Sequence, residues 1–162
     1  MSEAVCGVAA DTKVETPEGA MTIRTVAGKA IAVFTRTPAG RVRFHMMQDV
    51  RKLAEQQPVL KIALENGQSF RVSPQQVLYR QGMEECRADL IQVGDLLESV
   101  FHFPTGYVFH DDRAGESRES SGCLRVASIG ADGIADLYGL RVEPTGCFMV
   151  SAGVLCKAES PQ

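Results

Sequence analysis

The chain lacks any apolar run approaching the ~20 residues that a membrane helix needs, and no basic start followed by an apolar stretch opens it. Neither a bilayer span nor a secretory signal is therefore expected. It also lacks an excess of basic residues. Lys and Arg total 17 against 20 Asp and Glu, the formal net charge is −3, and the cations are scattered. Proteins that hold nucleic acid or anionic lipid do so through concentrated positive charge, so neither partner is expected. No C-x-x-C occurs, and the five cysteines (Cys6, Cys86, Cys123, Cys147, Cys156) are odd in number and irregular in spacing. That pattern excludes a disulfide framework or a zinc site and makes reduced thiols in a cytoplasm the default. His45, His102 and His110 do not stand at metal-ligand spacings. No metal and no cofactor is expected.

Helical periodicity is scarce as well. Only Gln48 to Gln57 reads as two turns and Glu84 to Leu90 as one. What is present is period-2 alternation broken by turn residues. "TKVET" is followed by Pro17-Glu18-Gly19, and "AMTIRTV" resumes as a strand; "AIAVFTR" stops at "TPAG" and "RVRFHMM" restarts. "PVLKIALENGQSFRVS" pairs two alternating runs around Asn66-Gly67, a strong hairpin signal. Turn signals every 8–12 residues predict an all-β domain. At 162 residues the chain is expected to be one domain and a monomer. "HDDRAGESRESSG", 110–122, has almost no apolar residues and is expected to be a mobile surface loop.

Four segments, in order, resemble the Hint family of Hedgehog and intein autoprocessing domains. "CGVAADTKVETPEGAMTI" is similar to its opening block, a Cys, a spacer, a Thr-x-Val-x-Thr strand and a Pro-x-Gly hairpin. "ALENGQSFRVSPQQVLY" is similar to the block that ends in Thr/Ser-Pro-x-His. "CRADLIQVGDLL" is similar to A-x-x-L-x-V-G-D-x-L. "LYGLRVEPTGCFMVSAGVLCKA" is similar to the closing strands. The resemblance implies a horseshoe-like β fold with pseudo-two-fold symmetry, little or no helix, and termini that meet. It implies a domain over 6–158, with 1–5 as an N-terminal flank and 159–162 as a tail.

In that family the first Cys attacks the preceding carbonyl, an N–S acyl shift that turns a peptide bond into a thioester. The equivalent bond here is Val5–Cys6. A thiol is a good nucleophile, but the amide must be polarised and its nitrogen protonated. On the Thr/Ser-x-x-His element Ser73 takes the hydroxyl position and Gln76 the His position. A Gln amide can donate a hydrogen bond but cannot deliver a proton, and general acid–base help is worth about 10²–10⁴-fold. None of the three histidines obviously replaces it. Gly139 stands where the family often has Asp, with Asp136 three residues earlier as a partial substitute; Gly146 and Cys147 stand for His-Asn. Ungapped alignment of "AGVLCKA" puts Lys157 at the terminal His and Ala158 at the cyclising Asn. Ala has no side-chain amide to attack with, and Glu159 is no acyl acceptor.

Each residue also has a plainer reading: Cys6 as a half-buried strand cysteine, Ser73 and Gln76 as the start of a strand. Cys156 beside Lys157 suggests an activated thiol. Neighbours on a strand face opposite ways, so Cys156 is read as core, with Lys157 facing Cys6 and able to stabilise its thiolate. The expectation is a Hint-fold domain without splicing chemistry, not an enzyme, retaining at most a weak Cys6-dependent acyl shift. Two alternatives stay open: an active N-terminal autocleavage domain, and a non-catalytic module for an unknown protein partner.

Overall fold

The computed structural model describes residues 5–99, 108–111, 116–119 and 123–159. Among these, fifteen strands run in the order β1 (Val8–Ala9), β2 (Lys13–Thr16), β3 (Gly19–Thr22), β4 (Ala32–Arg36), β5 (Val42–Met46), β6 (Gln48–Leu64), β7 (Ser69–Val72) and β8 (Val77–Arg80). Then follow β9 (Glu84–Arg87), β10 (Leu96–Leu97), β11 (Val108–Asp111), β12 (Glu116–Glu119), β13 (Leu124–Arg141), β14 (Cys147–Met149) and β15 (Leu155–Lys157). The only helices described are the four-residue α1 (Ile23–Val26) and a 3-10 turn over Ala88–Leu90. The fold is all-β, as the alternation predicts.

Two long antiparallel strands, β6 and β13, form its spine. The main sheet runs β1-β7-β6-β13-β10-β8-β15-β14, with β9 against β8. Register shifts along β6–β13, at Val126/Ser128 and at four places between Ala131 and Arg141, mark bulges. Asp49 and Gln56 adopt positive φ (52° and 50°) within β6. Each bulge adds a residue and raises the local twist, which lets a long pair bend rather than extend flat.

The bulges also explain one failed expectation. Gln48 to Gln57 is strand throughout, paired with β13 from Gln48↔Arg141 to Gln57↔Ala135. Bulges reset the in-out alternation, so the segment loses the period-2 signature that would have marked it. The other differences are local. β3 (Gly19–Thr22) takes in only the first three residues of "AMTIRTV", because α1 follows and sends both Ile23 and Val26 into the core at helical spacing. In "EECRADL" the first four residues are strand β9, and only the last three turn. In the segment expected to be a mobile loop, β11 and β12 pair through His110↔Ser117 and Asp111↔Glu116; residues 112–115 and 120–122 lie outside the described residues. Met1 to Ala4 of the flank and 160–162 of the tail lie outside them too.

The turns behave as their residues dictate. Gly67, at φ 85°, closes β6 onto β7 with its N–H on the Leu64 carbonyl, while the Asn66 side chain accepts from the Gln68 N–H. The main core gathers Val8, Ile62, Leu78, Leu97, Val126 and Leu140 from five strands, each almost fully buried. Burying such side chains is the main favourable term in the fold. β1 pairs with Leu137 and Tyr138 of β13, and the Glu159 N–H, just past β15, donates to the Leu140 carbonyl of the same strand, so the first and last described strands meet at one end of β13.

Candidate functional site

Gly7, just before β1, accepts at its carbonyl from the Ser73 N–H (2.9 Å), which fixes the chain at Cys6. At the other end Ala158 N–H donates to Gly146 and Glu159 N–H to Leu140. Between these ends opens a cleft of about 390 Å³, with Cys6, Gln76, Lys157, Ala158 and Glu159 on its walls and Leu140 and Phe148 among its apolar lining. The structure thus brings four of the five sequence-derived positions into one cleft. Ser73 sits beside it. Its side chain is fully buried, and its hydroxyl has no hydrogen-bond partner among the described residues.

Cys6 is exposed, and its Sγ lies 3.2 Å from the Gln75 carbonyl, to which the thiol donates. Partial burial raises its pKa above the ordinary thiol value; Arg87 opposes that rise, Glu159 adds to it, and Lys157 opposes it least. The expected Lys157–thiolate pair is therefore minor. The Lys157 ammonium is on Glu85 instead, at 2.7 Å. A thiol raised in this way is less ionised at neutral pH than a free cysteine. Alkylation of Cys6 followed against pH should show a midpoint above that of a free cysteine. Arg87→Ala should move it further up than Lys157→Ala does; a larger effect of Lys157→Ala would refute this assignment.

Gln76 is the decisive residue. It is buried, and its side-chain N–H groups both go to backbone carbonyls, Lys157 at 2.8 Å and Val77 at 3.0 Å. With two carbonyls as partners, the nitrogen rather than the oxygen must point this way. The amide clips β15 to β8 and has no donor left for the Val5–Cys6 peptide. The polarising role that its alignment suggests is not one this geometry offers.

The other replacements are similarly committed. A Cβ on Gly139 would lie 2.5 Å from Leu53 Cδ1 and 3.2 Å from Glu159 Cδ, so the space an Asp would take is filled. Asp136 is no substitute. Its carboxylate accepts from the Gln56 N–H at 3.1 Å and lies 3.5 Å from Lys52 Nζ, away from the cleft. Cys147 is buried against Thr35, and Cys156 is fully buried opposite Leu78 and Phe148, as a core residue. Burial pushes the Cys156 thiol up strongly. His45 lies on β5 and His110 on β11, whereas His102 is outside the described residues.

One site residue escaped the sequence reading. Glu159, expected to begin a tail, is docked: Arg51 Nη1 and Nη2 reach its two oxygens at 2.8 and 3.0 Å, a bidentate pair from residues 108 positions apart. No local pattern could have signalled it. Among the described residues no group of three or more His, Cys, Asp or Glu could hold a metal ion.

A bent, all-antiparallel β domain whose two ends line one cleft is the Hint, or intein-like, architecture, and this chain has it. The G-1F mutant of Ssp DnaB mini-intein variant M86 matches with a TM-score of 0.76 at 10% identity, over 96% of this chain and 100% of that one. The bacterial intein-like domain from Clostridium thermocellum matches with a TM-score of 0.70 at 16% identity, over 96% and 99%. The DnaB intein from Synechocystis sp. PCC 6803 matches with a TM-score of 0.72 at 9% identity, over 96% and 100%. At such identities the likeness establishes the fold. No protein-family model matches the sequence, nor does any curated protein.

Proposed function

We propose that this chain is a Hint-fold domain that has lost protein-splicing chemistry and is inert, or nearly so, at Val5–Cys6. The observation that carries this reading is the pair of hydrogen bonds that the Gln76 amide donates to the Val77 and Lys157 carbonyls. An acyl shift needs a group that hydrogen-bonds the scissile amide and protonates its nitrogen. Gln76 has no dissociable proton, and its N–H groups are spent. The far end supports the same reading: Ala158 has no amide to cyclise, and Lys157 is held by Glu85. A role as a folded, non-catalytic module for a protein partner fits this chemistry. Cys6, Cys86, Cys147 and Cys156 carry free thiols, in keeping with a reducing compartment. No described helix is long and apolar enough to cross a membrane.

A second reading, cleavage at Val5–Cys6 by an external nucleophile, draws on the exposure of Cys6 in the cleft. The two are separated by fusing reporter proteins before Met1 and after Gln162 and following intact mass over days. A single unchanged mass is expected. A ligated reporter pair, or release of the C-terminal reporter, would overturn the loss of splicing; release of the N-terminal reporter alone, abolished in Cys6→Ala, would establish the second reading.

A further inference from the structure

The β4–β5 hairpin is a two-stranded sheet of its own, and among the described residues β5 has β4 on one side and no strand on the other. Its pairing runs from Ala32↔Met46 to Arg36↔Val42 without a register shift. The bonds at its two ends are Thr37 N–H to the Arg41 carbonyl (2.8 Å) and Met47 N–H to the Ile31 carbonyl (2.9 Å). Bonded and non-bonded pairs alternate in an antiparallel ladder, so between those ends Arg43 and His45 spend their backbone groups on β4. Val42, Phe44 and Met46 turn theirs to the other side.

The side chains sort by the same alternation. Val33 and Thr35 of β4 are fully buried, so their partners His45 and Arg43 lie on that face at its margin, with Arg41 next in line. The opposite face carries Phe34, Val42, Phe44 and Met46, and the Phe34 and Phe44 rings lie 4.4 Å apart at 56°. Phe44 is 51% and Met46 46% exposed, so one short strand holds two of the five large apolar side chains exposed among the described residues. An edge that needs only protection from stray pairing carries charge, proline or a bulge. This one has charge, but neither proline nor bulge, and its apolar face is open. From Thr37 to Met47 the chain holds Arg41, Arg43 and His45 and no acidic residue. Arg43 Nη1 donates to the Val42 carbonyl at 2.8 Å, which covers one outward group and leaves the guanidinium further donors. Neither Arg41 nor Arg43 is in an ion pair among the described residues.

We propose that β5 is the docking edge for an extended segment of a partner protein, one that alternates acidic and apolar residues and adds to the hairpin as a third strand. Phe44 and Met46 offer it backbone donors and acceptors, the source of affinity in strand addition. Its apolar side chains fall on the face of Phe44 and Met46, and its carboxylates fall beside Arg41, Arg43 and His45, because side chains on one face pair across strands. Charge decides against a second copy of this chain as the occupant. Two β5 strands paired about Phe44 would set Arg43 against His45 and bring the two arginines together diagonally, with no carboxylate between them. None of residues 32–46 lines the Cys6 cleft. The proposal rests on the protein-partner role and gives it a surface and a chemistry; it makes no use of the state of Val5–Cys6, which the reporter fusions read on their own.

The probe is a short capped peptide of alternating Glu and Val, titrated into the full chain at low ionic strength, where charge contacts are least screened. A Lys-Val peptide of the same length is the control. Saturable amide shifts centred on residues 41–47 are expected with the first and not with the second. Hydrogen exchange at the Phe44 and Met46 amides should slow on binding, a mark of strand pairing that loose charge attraction does not leave. Arg41→Glu/Arg43→Glu should weaken binding of the Glu-Val peptide about tenfold or more and take up the Lys-Val peptide instead. Met46→Pro removes one outward N–H without touching the ladder to β4, so it should fold as the parent does and bind far more weakly than Met46→Ala. Should Met46→Pro fail to fold, the charge-reversal variant carries the test. Absence of saturable shifts, equal binding of the two peptides, or unslowed exchange at Phe44 and Met46 would overturn the proposal. So would a peptide-free chain that dimerises with those two amides protected, since a second copy would then be the occupant.

Discussion

Arg36→Ala is expected to cost about 3–5 kcal/mol of folding stability, the usual result of stripping one partner from a buried ion pair. Arg36 Nη1 lies 2.7 Å from Glu98 Oε2, with the two side chains only 14% and 7% exposed. The same guanidinium nitrogen reaches the Ser99 carbonyl at 3.3 Å. On its other oxygen Glu98 accepts from the Cys123 thiol at 3.0 Å. Burial and the adjacent carboxylate push that thiol up to about 12, so it remains a donor across the neutral range. Among the described residues, removing Arg36 leaves the buried carboxylate with a weak thiol donor and no counter-ion. The pair ties β4 to the chain just after β10, between elements far apart in sequence. Denaturant melts of Arg36→Ala, and of Arg36→Met with Glu98→Leu together, check the account. The apolar double should be near neutral, because it removes both desolvation penalties. A single variant as stable as the parent would show that the pair contributes nothing.

Gln76→Ala should cost about 2–4 kcal/mol, since each carbonyl left unpaired and buried forfeits about 1–3 kcal/mol. The two carbonyls at stake, on Val77 and Lys157, belong to neighbouring strands of the main sheet, β8 and β15. Loss of the clip should loosen β15 selectively, so amide exchange of Cys156 and Ala158 should speed up more than that of β6 and β7. Gln76→Glu is a sharper form of the test. A carboxylate facing two carbonyls can donate only if protonated, so that variant should be destabilised at neutral pH and recover as pH falls. The sign follows from linkage: a folded-state pKa raised above the unfolded value gives stability that grows toward acid. A pH-independent loss would place the Gln76 amide elsewhere.

The fold was legible because its signals are local. Asn66-Gly67 and Pro17-Glu18-Gly19 announce their hairpins, and alternation in β2 and β7 is intact. The spine was half hidden, since bulges in β6 and β13 break alternation and only long-range pairing reveals Gln48 to Gln57 as strand. The site divides in the same way. That Gln76, Lys157 and Ala158 are replacements can be read from aligned letters. Their occupations cannot: Gln76 on two carbonyls, Lys157 on Glu85 and Glu159 on Arg51 are contacts across 72 to 108 residues, save that to Val77. Asp136 looked like a nearby carboxylate, yet the pleat and bulges of β13 turn it toward Lys52 and Gln56.

Hydroxylamine treatment of a reporter fused before Met1 tests the central claim most directly, because it cleaves any thioester formed at Val5–Cys6 whether or not later steps exist. Measured by intact mass beside Cys6→Ala, the parent chain is predicted to stay whole, indistinguishable from the variant. Reporter released from the parent and not from Cys6→Ala would contradict the account, and would mean that this cleft protonates the leaving nitrogen without Gln76.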